Sequence, residues 1–130
     1  MRILWLINIP LPEASQLMGD KPSPFGGWLI NASRDLSNQE GIELSITFPS
    51  NKVNKFEELI GEKINYYPFY PIKDRNKKII EYNNSFDALL DRIKPDVVHI
   101  YGTEMTHTLS MVNTCKKLKI KTVISIQGLV

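Results

Sequence analysis

Apolar runs and helically spaced apolar positions take turns along this chain. Ile3 to Ile9 is a near-continuous apolar run and reads as a buried strand. From Gly27 the pattern becomes helical, with Leu29, Ala32, Ser33 and Leu36 on one face and Gly41 placed to stop it. Ile42, Leu44, Ile46 and Phe48 then alternate with Glu43, Ser45 and Thr47, as in a strand with one face more exposed than the other, and Pro49 ends it. Lys63 to Phe69 is a weaker strand carrying Ile64 and Tyr66, expected near a sheet edge. Ile79, Tyr82, Asn83, Phe86, Leu90 and Ile93 recur at helical spacing, with Pro95 at the exit. A further helix is predicted between Met105 and Lys119, with Leu109, Val112, Cys115 and either Met111 or Leu118 facing inward. Lys94 to Gly102 and Lys121 to Gly128 are β-branched apolar runs that end in glycine, and both read as central parallel strands.

Two stretches interrupt this order. Pro10 to Pro24 holds four prolines and a glycine, which argues for a long loop without regular structure. Residues 50 to 62 are polar, with room for a short helix around Phe56 to Ile60.

Strands alternating with helices imply right-handed crossovers and a parallel sheet. The fold class is therefore α/β, a Rossmann-like, doubly wound, three-layer arrangement whose five expected strands follow the order 3-2-1-4-5. In that order the first and fourth strands are neighbours and the direction of winding reverses between them. The loops after Ile9 and after Tyr101 should then flank one crevice at the carboxyl edge of the sheet, where open α/β sheets bind ligands.

Composition narrows the partners. The 130 residues fit one domain, 1–130; 42% are apolar and 23% charged, and a net charge of +2 is too small to argue for nucleic acid. The single cysteine, Cys115, excludes an internal disulfide or a multi-thiolate metal site, and two distant histidines add no metal-ligand spacing, so neither metal nor cofactor is expected. A reducing compartment, the cytoplasm, suits this cysteine usage. Met1 to Leu11 is too short an apolar run for a signal peptide and breaks at Pro10. No window approaches the roughly 20 apolar residues of a membrane span, so any membrane contact is expected to be peripheral.

Three places at the expected crevice carry candidate chemistry. Gly26 and Gly27, in Pro24-Phe25-Gly26-Gly27-Trp28, would let a ligand approach the backbone just before a helix that offers unpaired N–H groups, or would simply be a hinge that caps the helix. Trp28 reads as core or rim packing. Gly102 ends a strand, and Glu104 and His107 follow it. Glu104 would accept hydrogen bonds from sugar hydroxyls or else be a solvated carboxylate at a helix start; His107 is titratable near neutrality or else ordinary surface. Gln127 and Gly128 end the last strand, where an amide would both donate to and accept from a ligand, or serve in a turn. His99, inside a strand, reads as a core histidine. There is no G-x-G-x-x-G after the first strand, no Walker A lysine loop, and no acidic cluster near Asn8-Ile9-Pro10 for phospho-receiver chemistry.

Taken together, the opening Met-Arg-Ile-Leu-Trp-Leu-Ile-Asn, the Phe25-Gly-Gly-Trp loop, the Lys-Pro-Asp-Val-Val-His-Ile-Tyr-Gly run and the closing Val-Ile-Ser-Ile-Gln-Gly-Leu resemble the amino-terminal domain of GT-B glycosyltransferases, most of all the retaining family 4. The resemblance implies an acceptor-side domain, with a carboxyl-terminal, donor-binding domain beyond the 130 residues. It implies transfer of a sugar from a nucleotide-sugar donor to a glycan or lipid-linked acceptor in polysaccharide biosynthesis, with retention and without an obligatory metal. It also implies that Gly26 and Gly27 approach donor phosphates or acceptor, and that the 130 residues alone are inactive. Where the family commonly has a histidine before the last strand's glycine, this chain has Gln127, which binds a hydroxyl but transfers no proton. Two alternatives stand beside this reading: a non-catalytic Rossmann-like binding or interaction module, and part of a GT-B epimerase.

Overall fold

A computed structural model describes residues 1–22, 27–71, 78–102 and 105–126, with 78–84 described by their backbone. Its strands are β1 (Arg2–Leu6), β2 (Glu43–Pro49), β3 (Leu59–Ile60), β4 (Asn65–Phe69), β5 (Val97–Tyr101) and β6 (Lys121–Ser125). Its helices are α1 (Pro12–Leu17), α2 (Gly27–Ser37), α3 (Lys78–Ile93) and α4 (Thr106–Leu118). They form one sheet in the order β3-β4-β2-β1-β5-β6. Every pairing is parallel except β3 with β4. The five long strands keep the expected order, and the two-residue β3 adds an antiparallel edge that the sequence reading lacked.

The sheet buries both faces. Leu4, Leu6, Val98 and Ile100 point to the side where Phe86, Leu89, Leu90 and Ile93 of α3 and Met111 and Cys115 of α4 close over them. Trp5, Ile7, Ile46, Phe48 and Tyr66 point to the other side, against Leu29 of α2 and Leu11 and Ala14 at α1. Burial on both faces explains why β1 and β5 read as unbroken apolar runs. Thr47, fully buried in β2, donates its hydroxyl to the Tyr67 carbonyl at 2.6 Å, so its polar atom enters the core satisfied.

Four expectations are corrected. The proline-rich loop contains a helix, α1, because Pro12 stands in its first turn, where a missing N–H costs nothing, and because Leu11, Ala14 and Ser15 are buried. No helix forms around Phe56 to Ile60; Phe56 bridges Phe69, and Leu59–Ile60 pairs with β4. In α4 the inward residues are His107, Thr108, Ser110, Met111, Thr114 and Cys115, while Leu109 and Leu118 lie exposed. Hydroxyls turn inward there because they bond to backbone carbonyls: Thr114 to Ser110 at 2.8 Å and Thr108 to Gly102 at 3.3 Å. Finally, β6 is an edge strand rather than a buried central one, and leaves Val123 and Ile124, which point to opposite faces, each 44% exposed.

Candidate functional site

β1 and β5 are adjacent, with Trp5 opposite His99 and Leu6 opposite Ile100. β2 lies on the other side of β1 and β6 on the other side of β5, so the winding reverses here, at the switch point where open α/β sheets hold their ligand crevice.

Asn8, two residues beyond β1, lies at this switch point. Its Nδ2 donates to the Tyr101 carbonyl at 3.3 Å, and its Oδ1 lies 2.8 Å from Nε2 of His107 in the first turn of α4. An amide oxygen only accepts, so His107 carries its proton on Nε2 and donates. Burial drives the His107 pKa down to about 4, which keeps the imidazole neutral at physiological pH. The ring also meets Phe69 edge-on, with centroids 5.2 Å apart. His107 is thus a buried, oriented donor rather than a surface residue.

Gly102 adopts φ +92°, a conformation open to glycine but strained for other residues. Its N–H donates to the Ser125 carbonyl at 2.8 Å, and a Cβ placed on it would sit 3.1 Å from Asn8 Nδ2. The glycine therefore lets the chain turn out of β5 while Asn8 crosses beneath. Gly27 is different: it opens α2, and a Cβ there would meet nothing within 4 Å. Neither packing nor conformation requires a glycine at that position.

An aromatic series runs along the α2 side. Trp5 contacts Tyr101 edge-on at 4.9 Å, and Tyr101 in turn meets Trp28 edge-on at 5.6 Å and stacks on His99 at 4.1 Å. Burial lifts the Tyr101 pKa to about 12 and lowers that of His99. His99 is half-buried and bonded through Nε2 to the Ser125 hydroxyl at 2.7 Å, so it is a satisfied residue of the sheet. Trp28, in contrast, is 56% exposed on the crevice rim.

Of the sequence-predicted site residues, Gly27, Gly102 and His107 belong to elements that border this crevice; Gly26, Glu104, Gln127 and Gly128 lie outside the described residues. Asn8 was missed by sequence reasoning. The signal available for it is a polar side chain directly after a buried apolar run, at the carboxyl end of the first strand. Among the described residues no group of three or more His, Cys, Asp or Glu side chains could hold a metal ion, and no helix is long and apolar enough to cross a membrane.

No family model matches the chain, and no curated protein matches it by sequence. Solved structures do match. The UDP-GlcNAc 2-epimerase of Methanocaldococcus jannaschii superimposes with a TM-score of 0.59 at 20% identity, covering 99% of this chain and 32% of the epimerase. That of Neisseria meningitidis, bound to UDP-GlcNAc, gives 0.63 at 15% identity over 99% and 33%. A trehalose-6-phosphate protein from E. coli, bound with UDP-2-fluoro glucose, gives 0.51 at 12% identity over 95% and 32%. The chain spans about a third of the length of these proteins. At these identities the likeness defines the fold: a Rossmann-like domain of GT-B type.

Proposed function

We propose that this chain is the acceptor-side domain of a GT-B enzyme that processes nucleotide sugars, acting as a retaining glycosyltransferase of the family 4 type on a glycan or lipid-linked acceptor in polysaccharide biosynthesis. The observation that carries the reading is the β1/β5 switch point, where the Asn8–His107 hydrogen bond joins the strand exits and Trp28, in the first turn of α2, meets Tyr101. Two of the structural neighbours hold UDP-sugars, which supports a nucleotide sugar as the donor. A neutral, oriented imidazole and a glycine without a packing role suit the binding of hydroxyls and phosphates. Gly26, Glu104, Gln127 and Gly128 complete the proposed binding set.

The donor in this reading is held mainly by a second domain beyond residues 1–130, so the 130 residues bind weakly and do not catalyse transfer. The enzyme works in the cytoplasm, with peripheral contact at the inner membrane face where the acceptor is lipid-linked. A Gly27→Phe variant tests the site. Nothing lies within 4 Å of a Cβ at that position, so the variant should fold normally while losing UDP-sugar binding in calorimetry. Unchanged binding would remove the glycine from the site.

A second reading, a GT-B epimerase, is favoured by the UDP-GlcNAc 2-epimerases among the structural neighbours. Product analysis of the intact enzyme with UDP-GlcNAc separates the two: a sugar inverted at C2 marks an epimerase, and a sugar moved to an acceptor marks a transferase.

A further inference from the structure

Away from the crevice, a cavity of about 410 Å³ opens between α1, the carboxyl half of α2 and the turn that joins β3 to β4. It shares no residue with Asn8, Gly102, His107 or Trp28. Its size lies within the roughly 300–1,000 Å³ of small-molecule sites.

One wall is fixed by Glu13. Its Oε1 accepts the Tyr66 hydroxyl at 2.7 Å and its Oε2 accepts the Glu62 N–H at 3.2 Å, so the carboxylate bolts α1 to the β3–β4 turn. Gly61 makes this approach feasible, since a Cβ there would stand 2.5 Å from Glu13 Oε1 and 2.3 Å from the Ile64 carbonyl. Burial and the neighbouring carboxylate together push the Tyr66 pKa far above its usual value, so the phenol remains a donor. The floor is apolar, formed by the buried side chains of Leu11 and Ile64 with the partly buried Ile30.

The rim is mixed and balanced. Arg34 and Lys63 bring two positive charges, and Glu13 and Glu62 bring two negative ones. Lys63 pairs with the Asn38 side-chain oxygen. The Ser33 and Ser37 hydroxyls donate to the Ile30 and Arg34 carbonyls and retain lone pairs to accept. A ligand suited to such walls carries hydroxyls that both donate and accept, has an apolar face, and has no net charge.

From this geometry we infer that the cavity between α1, α2 and the β3–β4 turn is a binding site for an uncharged pyranose ring, separate from the crevice. Carboxylates accept its hydroxyl protons, Arg34 and Lys63 donate to its oxygens, and its C–H face lies on Leu11, Ile30 and Ile64. The assignment does not depend on which reaction the crevice supports.

The test is titration of the isotopically labelled protein with glucose, glucuronate and glucosamine, followed by amide NMR. Glucose should shift the amides of residues 33–38 and 61–64 with millimolar saturation. Arg34→Ala, at an exposed position, should weaken that binding about tenfold, as expected for a lost hydrogen bond to a charged group. Ser37→Phe should abolish it by filling the cavity from its rim. No shift at these amides, shifts confined to Asn8, Gly102 and His107, or tighter binding of either charged sugar than of glucose would each overturn the assignment. A protein that binds glucose here but no UDP-sugar at the β1/β5 switch point would leave this site standing and count against nucleotide-sugar binding by the crevice.

Discussion

His107 donates from Nε2 to Oδ1 of Asn8 at 2.8 Å, across 99 positions of sequence, and the Nδ2 of the same amide reaches the Tyr101 carbonyl at 3.3 Å. One side chain thereby ties the exits of β1 and β5 to the first turn of α4. The switch point is held together by this three-way link, because the amide's oxygen and nitrogen are each committed to a different element.

Asn8→Ala should therefore cost more than an average surface change. It strands a buried histidine donor, for which about 1–3 kcal/mol is expected. Asn8→Asp should also destabilise, because it sets a carboxylate oxygen against the Tyr101 carbonyl, but by less, since His107 keeps its acceptor. Urea denaturation midpoints of the two variants and the parent check the order.

Acid should weaken the fold through His107 as pH falls below the ordinary histidine value. The folded pKa of His107 is about 4 and its ordinary value 6.5, so between those two pH values the unfolded chain binds the extra proton. Stability from this group is fully present above pH 6.5 and is lost as pH falls through the window, by at most about 1.4 kcal/mol for each pH unit. His99, also lowered by burial, acts in the same direction. Unfolding free energies measured at about pH 7.5 and about pH 5 should differ in the parent and differ less in His107→Gln, which keeps a donor for Asn8 but does not titrate. Equal pH dependence in both would locate the effect elsewhere.

The two glycines that border the crevice should respond differently to the same change. Gly102→Ala puts a Cβ on a residue at φ +92° and 3.1 Å from Asn8 Nδ2, and should destabilise by about 1–3 kcal/mol. Gly27→Ala meets open space in a helical first turn and should be neutral or gain a few tenths of a kcal/mol. Thermal unfolding of the pair separates a glycine kept by the backbone from one that the backbone does not need.

Lys119 offers a stabilising change. It ends α4 in the left-handed region, at φ 59° and ψ 41°, while the Ile120 N–H caps the Cys115 carbonyl at 2.9 Å. Lys119→Gly should raise stability by roughly 0.5–1 kcal/mol, because glycine adopts that conformation without the Cβ penalty. Lys94, at φ 52° after α3, should behave alike. Chemical denaturation of the single and double variants reads the gain and its additivity.

The strand order was legible because Ile3, Leu4, Leu6, Val98 and Ile100 are unbroken apolar runs, and such runs fit central parallel strands. The switch point between β1 and β5 followed from that order alone. Pro12 misled the reading because counting prolines ignores that the first turn of a helix tolerates one; α1 and its Glu13 clamp were lost with it. Leu109 was placed inward because hydrophobicity set the helix phase, whereas Thr108, Ser110 and Thr114 enter the core with His107. Asn8 was beyond reach for another reason: its partners lie more than ninety residues away, and nothing local to Ile7-Asn8-Ile9 announces them. Ligand contact at Gly26, Gly27, Gly102, Glu104, His107, Gln127 and Gly128 rests on the sequence reading, and four of these, Gly26, Glu104, Gln127 and Gly128, lie outside the described residues.

The two tryptophans occupy opposite environments, Trp5 only 3% exposed beneath the aromatic series and Trp28 56% exposed above it. The molecule therefore carries two optical reporters that report separately. A collisional quencher should reach Trp28 and spare Trp5, so emission that remains under quencher follows the integrity of the sheet, while the quenchable part follows events at the mouth of the crevice. With Trp28→Phe removing the second signal, occupancy and unfolding become distinguishable by light alone, without a label.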